Sequence, residues 1–224
     1  MREKDLYPAI VRLLTSNTFG CFETFVDRGT AGGRVDVCGL RNIGGHMASD
    51  FQICGVEVKT SNAPLLKSIG QALAYTTMVD RSYLAFLGDF EIEDRDTAAF
   101  LGIGLIKIRK QGRGYSAHLE QESQIFTPMP GRRLGILRAG GFLTCQLCGI
   151  VERVSDSGAT RNLKNTSTKV SSAIDQTKAL LWYHWDDADQ TRNDHKWVYN
   201  ERMLCSNCVY TVIRPLSEMG GSPT

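Results

Sequence analysis

The stretch Phe51 to Thr60 constrains the fold of this chain more than any other. Its β-branched Ile53, Val56 and Val58 favour extended backbone, and extended backbone sends successive side chains to opposite sides. Val56 and Val58 therefore share one side, and Glu57 and Lys59 share the other. A strand of this kind wants an apolar layer on one side and a polar surface on the other. Asp36, flanked by Val35 and Val37, repeats the arrangement in the strand-like segment before it, so its carboxylate is also expected to turn away from the apolar layer. If the two strands pair, Asp36 and Glu57 converge with Lys59 beside them.

The neighbouring segments supply partners for such a strand. Leu6, Ile10, Leu13 and Leu14 recur at helical spacing, with Tyr7 on the same stripe. Pro8 is tolerated there only in the first turn, which starts the helix near Asp5 and puts Glu3 at its entrance. Cys21 to Val26 and Arg34 to Leu40 read as a hairpin about the Gly-rich turn 27–33. Asn62, Ala63 and Pro64 break the third strand, and Leu65 to Val79 is helical by period. Tyr83 to Leu87 and Gly104 to Arg109 read as strands on either side of a helix over Arg95 to Leu101. The expected order is α-β-β-β-α-β-α-β, a mixed α/β domain over residues 1–138. The acidic run Asp89, Glu91, Glu93, Asp94 and Asp96 reads as a solvated turn, and Gly131 to Gly141 as a junction to a second module over 139–224.

Two carboxylates on rigid strands suit a hard divalent cation, which takes oxygen ligands and keeps several waters for chemistry. Lys59 adds a compact cation able to hold an attacking water or offset charge developing on a phosphate. An isolated E-x-K is usually a solvated face with a surface ion pair; Asp36 and the element order favour the catalytic reading. This D…E-x-K arrangement resembles the PD-(D/E)xK nuclease superfamily, with its restriction-endonuclease-like mixed sheet flanked by helices. The resemblance spans roughly Glu3 to Arg109, with Val35 standing where the motif's name has Pro. It implies that Asp36 and Glu57 bind Mg²⁺ or Mn²⁺, that Lys59 is the catalytic lysine, and that the reaction is hydrolysis of a DNA phosphodiester. Gln71 and Tyr75, four apart on one helix face, resemble the Q-x-x-x-Y element of the RecB-like and junction-resolvase branches. Glu3 resembles the first-helix glutamate that these branches add to the metal shell. Plainer readings exist: the helix dipole independently favours an acid at Glu3, Gln71 suits any polar helix face, and Tyr75 suits a packing role.

Seven cysteines include two C-x-x-C pairs, Cys145 with Cys148 and Cys205 with Cys208. Four thiolates in two tight turns are the ligand set of one tetrahedral structural Zn²⁺. The interval 149–204 is far longer than the usual separation of about 15 to 20 residues, so a zinc-ribbon-like module here carries a long insertion. His184 and His195 are alternative ligands within it, and a redox dithiol lacks the surrounding βαβ pattern. Cys21, Cys38 and Cys54 read as small buried hydrophobes.

With 42% hydrophobic and 22% charged residues in 224, the chain has globular composition. A net charge of +2 leaves nucleic-acid binding to local patches. Lys107, Arg109, Lys110 and Arg113, then Arg132 and Arg133, form two such runs suited to phosphate. No apolar run reaches the roughly 18 to 20 residues of a membrane span, and the charged start is unlike a signal peptide. The reading is therefore an intracellular, cytoplasmic, DNA-associated protein. It is expected to be a metal-dependent endonuclease whose zinc module assists nucleic-acid engagement, and double-strand cleavage by one site per chain favours a homodimer. The competing expectation is a non-catalytic nucleic-acid-binding or scaffold protein that retains a nuclease fold.

Overall fold

A computed structural model describes residues 1–30, 33–43, 51–144 and 151–153. The chain divides into two compact units, Met1–His46 with Asp50–Gly140, and Met47–Ser49 with Gly141–Thr224. In the first, the chain opens with a 3-10 turn, Glu3–Asp5, and helix α1, Tyr7–Leu14. Strands β1 (Cys21–Thr30), β2 (Gly33–Asn42) and β3 (Phe51–Lys59) follow, then α2 (Leu65–Tyr75), β4 (Arg81–Leu87) and α3 (Ile92–Phe100). Strands β5 (Gly104–Gln111) and β6 (Gly114–Gln121) and helix α4 (Pro130–Ala139) complete it.

The six strands form one sheet in sequence order. β1, β2 and β3 pair antiparallel, β3, β4 and β5 pair parallel, and β6 closes the sheet antiparallel to β5. Parallel strands are covered on both faces, and the alternation along β4 shows how. Tyr83 and Ala85 join Val56, Val58, Ile106 and Ile108 under Leu6, just before α1, and Ile10 and Leu14 of α1. Leu84 and Phe86 join Leu105 on the other face, against Ile69 and Ala72 of α2 and Ala98 of α3. This is an α/β fold with a mixed six-stranded sheet. In the second unit the described residues are a short antiparallel pair, β7 (Phe142–Thr144) with β8 (Val151–Arg153). Among the described residues no helix is long and apolar enough to cross a membrane.

Several elements differ from expectation. β1 runs on to Thr30, its partner being Gly33, so the hairpin tip is narrower than the turn 27–33; Asp27 takes φ 57 within the strand. The acidic run is not a solvated turn but the entrance of α3, where Glu93 and Asp94 occupy the first turn and Asp94 Oδ2 accepts the Glu91 N–H at 3.1 Å. Carboxylates there complement the unpaired amides and the positive helix end. Gly131 to Gly141 is mostly helix α4, and the division between the two units falls at its end, between Gly140 and Gly141. α2 stops at Tyr75, short of Val79. Strand β6 has no counterpart in the sequence reading.

Candidate active site

β2 and β3 are in register with Val37 opposite Val56. Asp36 and Glu57 are therefore the next facing positions, where the ladder ends, and the Asp36 carboxylate takes over from the backbone. Its Oδ2 accepts the Val58 N–H at 2.9 Å and its Oδ1 accepts the Tyr7 hydroxyl at 2.7 Å. The polar face expected of β3 is in fact covered: Glu57 is 3% exposed, because α2 packs over this side of the sheet. What makes a buried acid tolerable is local bonding. Lys59 Nζ lies 2.7 Å from Glu57 Oε1, and the Tyr75 hydroxyl approaches both Glu57 Oε2 and the Arg34 carbonyl. Lys59 also reaches Glu3 Oε1 at 3.0 Å. Glu3, Asp36, Glu57 and Lys59, four of the residues singled out in the sequence, thus form one cluster.

Its electrostatics are unbalanced: Glu3 and Glu57 share the Lys59 ammonium, and Asp36 feels its charge without an ion pair to it. Burial pushes the Asp36 carboxyl above its ordinary value, against the Val58 and Tyr7 bonds that favour the anion. Glu57 is also pushed up, first by burial and further by the charge of Asp36, against the bonds from Lys59 and Tyr75. Burial alone would lower Lys59, but Glu57 and Glu3 outweigh it and hold the ammonium upward. Lys59 is consequently a cation at neutral pH, suited to stabilising negative charge rather than abstracting a proton.

A divalent cation fits this donor set. Asp36 and Glu57 present hard oxygens that keep spare lone pairs, and the excess negative charge favours it. Among the described residues no group of three or more His, Cys, Asp or Glu side chains is placed to hold a metal ion. A cation here would therefore lean on two carboxylates and water, the habit of Mg²⁺.

The remaining candidates are scattered. Gln71 lies one turn before Tyr75, exposed, with no hydrogen bond to Asp36, Glu57 or Lys59. Lys107 is buried, its ammonium paired with Asp89 and Glu120, so the solvent-facing run begins at Arg109 and continues with Lys110 and Arg113. Arg132 reaches the Thr77 hydroxyl at 3.0 Å. Arg133 is engaged by Asp80, with Nε 3.0 Å from Oδ1 and Nη2 3.0 Å from Oδ2. Cys145, Cys148, Cys205, Cys208, His184 and His195 lie outside the described residues. Cys21, Cys38 and Cys54 are buried, and burial pushes the Cys38 thiol up.

Two site-proximal residues escaped the sequence reading. Tyr7 looked like one more apolar stripe residue; a phenol among leucines was its only signal. Asp27 looked like turn chemistry, yet its carboxylate bridges Lys4, next to Glu3, and Arg34, whose carbonyl meets Tyr75.

Comparison with families of known proteins and with curated proteins finds no match. Among solved structures, the chain is similar to the "SPO1766 protein of unknown function from Silicibacter pomeroyi". The identity is 22% and the TM-score 0.43, over 62% of this chain and 84% of that one.

Proposed function

We propose that this chain is a divalent-metal-dependent endonuclease of the PD-(D/E)xK type, hydrolysing phosphodiester bonds in DNA on a restriction-endonuclease-like sheet. The observation that carries the reading is the meeting of Asp36, Glu57 and Lys59 where β2 and β3 part, with more negative charge than the protein itself neutralises. Asp36 and Glu57 would hold the cation. When bound, Mg²⁺ would supply Lewis-acid polarisation of a phosphoryl oxygen and a more acidic water.

The chain's own residues do the rest. Val58 N–H and the two tyrosine hydroxyls orient the carboxylates. Lys59 keeps its proton on Nζ and offsets the charge that develops on the phosphate, a contribution worth about 2 to 4 kcal/mol for one well-placed donor. Covering Glu57 by α2 excludes bulk water and strengthens each of these interactions. Glu3, on the 3-10 turn, holds the far side of the lysine. Exposed Arg109, Lys110 and Arg113 would meet backbone phosphates without reading sequence. A four-cysteine zinc module at Cys145, Cys148, Cys205 and Cys208 would add to that engagement, on the strength of the sequence pattern. The setting of this reading is intracellular, and cutting both strands would take two copies.

The test incubates purified chain with plasmid, linear, single-stranded and branched DNA, and with RNA, in Mg²⁺, Mn²⁺ or EDTA. Expected is cleavage of a DNA form that EDTA and Asp36→Ala both abolish. No cleavage of any substrate, with DNA binding intact, would leave the non-catalytic alternative standing.

A further inference from the structure

We infer that Tyr7 is a positioning residue that aims Asp36 at the bound cation; the inference rests on the metal-dependent reading above. No residue of the motif carried by the resemblance falls at position 7. The argument is geometric. Asp36 lies just past the last β2–β3 pair, while β1 pairs with Val35 and Val37 on either side of it, so its backbone is fixed and its carboxylate is turned to the gap where β3 leaves β2. Its two oxygens are held separately, Oδ2 by the backbone of β3 and Oδ1 by a phenol from α1. That phenol is rigid: the Tyr7 ring is 6% exposed and sits in the same apolar cluster as Val56 and Val58. Each oxygen spends one lone pair on a fixed donor and retains another for a metal. Glu57 is treated in the same way from the opposite face, where Tyr75 of α2 meets Oε2. One tyrosine from each helical layer thus fixes one of the two carboxylates.

Packing alone does not require this hydroxyl, since phenylalanine fills the same volume among Leu6, Ile10 and Leu14. Partners of ligating groups typically alter metal affinity by about 10- to 100-fold. The hydroxyl of Tyr7 is placed to be such a partner.

The experiment measures Mn²⁺ affinity by electron paramagnetic resonance of the free ion, alongside thermal melting, for the wild-type chain, Tyr7→Phe, Tyr83→Phe and Asp36→Ala. Tyr83 is the control, a buried tyrosine whose hydroxyl serves a different carboxylate, Glu122. Expected is a loss of about tenfold or more in Tyr7→Phe, with wild-type affinity in Tyr83→Phe whatever either variant does to the melting temperature. Wild-type affinity in Tyr7→Phe, with affinity lost in Asp36→Ala, would overturn the inference alone. An equal loss in Tyr7→Phe and Tyr83→Phe would overturn it too, marking a general effect of loosening the core. Wild-type affinity in Asp36→Ala would overturn the cation site itself.

Discussion

The two ends of β3 each carry a buried acid, and they solve the problem differently. At the Ile53 end, Asp80 accepts the Ile53 N–H at 2.7 Å and a forked pair of bonds from Arg133, whose guanidinium also stacks 4.5 Å over the Phe51 ring. One charge meets one charge in the geometry that guanidinium and carboxylate share. At the Lys59 end, Glu3 and Glu57 share one ammonium while Asp36 is held by neutral donors, and both Asp36 and Glu57 are driven above their ordinary values chiefly by burial. The same residue types, one strand length apart, are closed at one end and left short of positive charge at the other. Incomplete neutralisation, rather than the presence of buried acids, is what marks the Lys59 end as the candidate site and the Asp80 end as a brace.

The sharpest way to break this contrast is to remove the acids at the unbalanced end. Asp36→Ala and Glu57→Ala should each lower Mg²⁺-supported cleavage by about a thousandfold or more, while melting no lower than the wild type. Removing a penalised charge offsets the bonds lost. Near-normal single-turnover rates in both variants would end the claim that this end does chemistry. At the balanced end the outcome should invert. Arg133→Ala leaves Asp80 buried without its cation and should cost about 3 kcal/mol, a fall in melting temperature of roughly 6 to 12 °C for a protein of this size. Cleavage per folded molecule should survive it. If Arg133→Ala instead melted like the wild type but lost DNA affinity, Arg133 would belong to the nucleic-acid surface.

How far the sequence disclosed these two ends depends on how local the signals are. Alternation revealed β2 to β5 and paired Glu57 with Lys59, because period two and β-branched residues act over a few positions. The brace was illegible because it joins residues 53 apart: Asp80 and Arg133 meet only once α4 is laid against the sheet. Helix α4 was itself hidden by Gly131 and Gly135, which oppose helix by propensity and are overruled by the tertiary ties of Arg132 and Arg133. Lys107 was read as part of a charge run, although it alternates with buried Ile106 and Ile108 and lies under α3 with Asp89 and Glu120. At the site, the acids, the lysine and Tyr75 were visible as a pattern, but Tyr7, which steadies Asp36, was not. A helical stripe records where a ring sits and says nothing of where its hydroxyl ends.

Lys59→Ala sharpens the contrast from the cationic side. With its ammonium bonded to Glu57 and Glu3, its loss should lower the cleavage rate about a hundredfold and leave DNA affinity nearly unchanged. Lys59→Arg should restore little, since a planar fork does not replace a compact ammonium. Lost affinity with an intact single-turnover rate would make Lys59 a substrate-binding residue.

The smallest effect reads the tyrosines at both ends together. Burial first, then bonding to Asp36, holds the Tyr7 phenol well above its ordinary 10.0; burial and Glu57 do the same for Tyr75. At the other end, burial leads and the Glu122 bond contributes to the rise at Tyr83. The sign follows from which state keeps the proton. Below pH 10 both the folded and unfolded chains hold these protons, and the stabilisation is complete. As pH rises past 10 the unfolded chain releases protons that the folded chain retains, so stability falls by about 1.4 kcal/mol per pH unit for each shielded phenol. In an alkaline titration followed by phenolate absorbance and circular dichroism, at least three of the seven tyrosines should ionise only with unfolding. Tyr7→Phe and Tyr83→Phe should each make stability less steep in pH by the same one-proton amount, although only the first touches the unbalanced end. Ionisation of all seven phenols before any loss of secondary structure would show that neither end shields its tyrosine, and the rigid support inferred for Asp36 would fall with it.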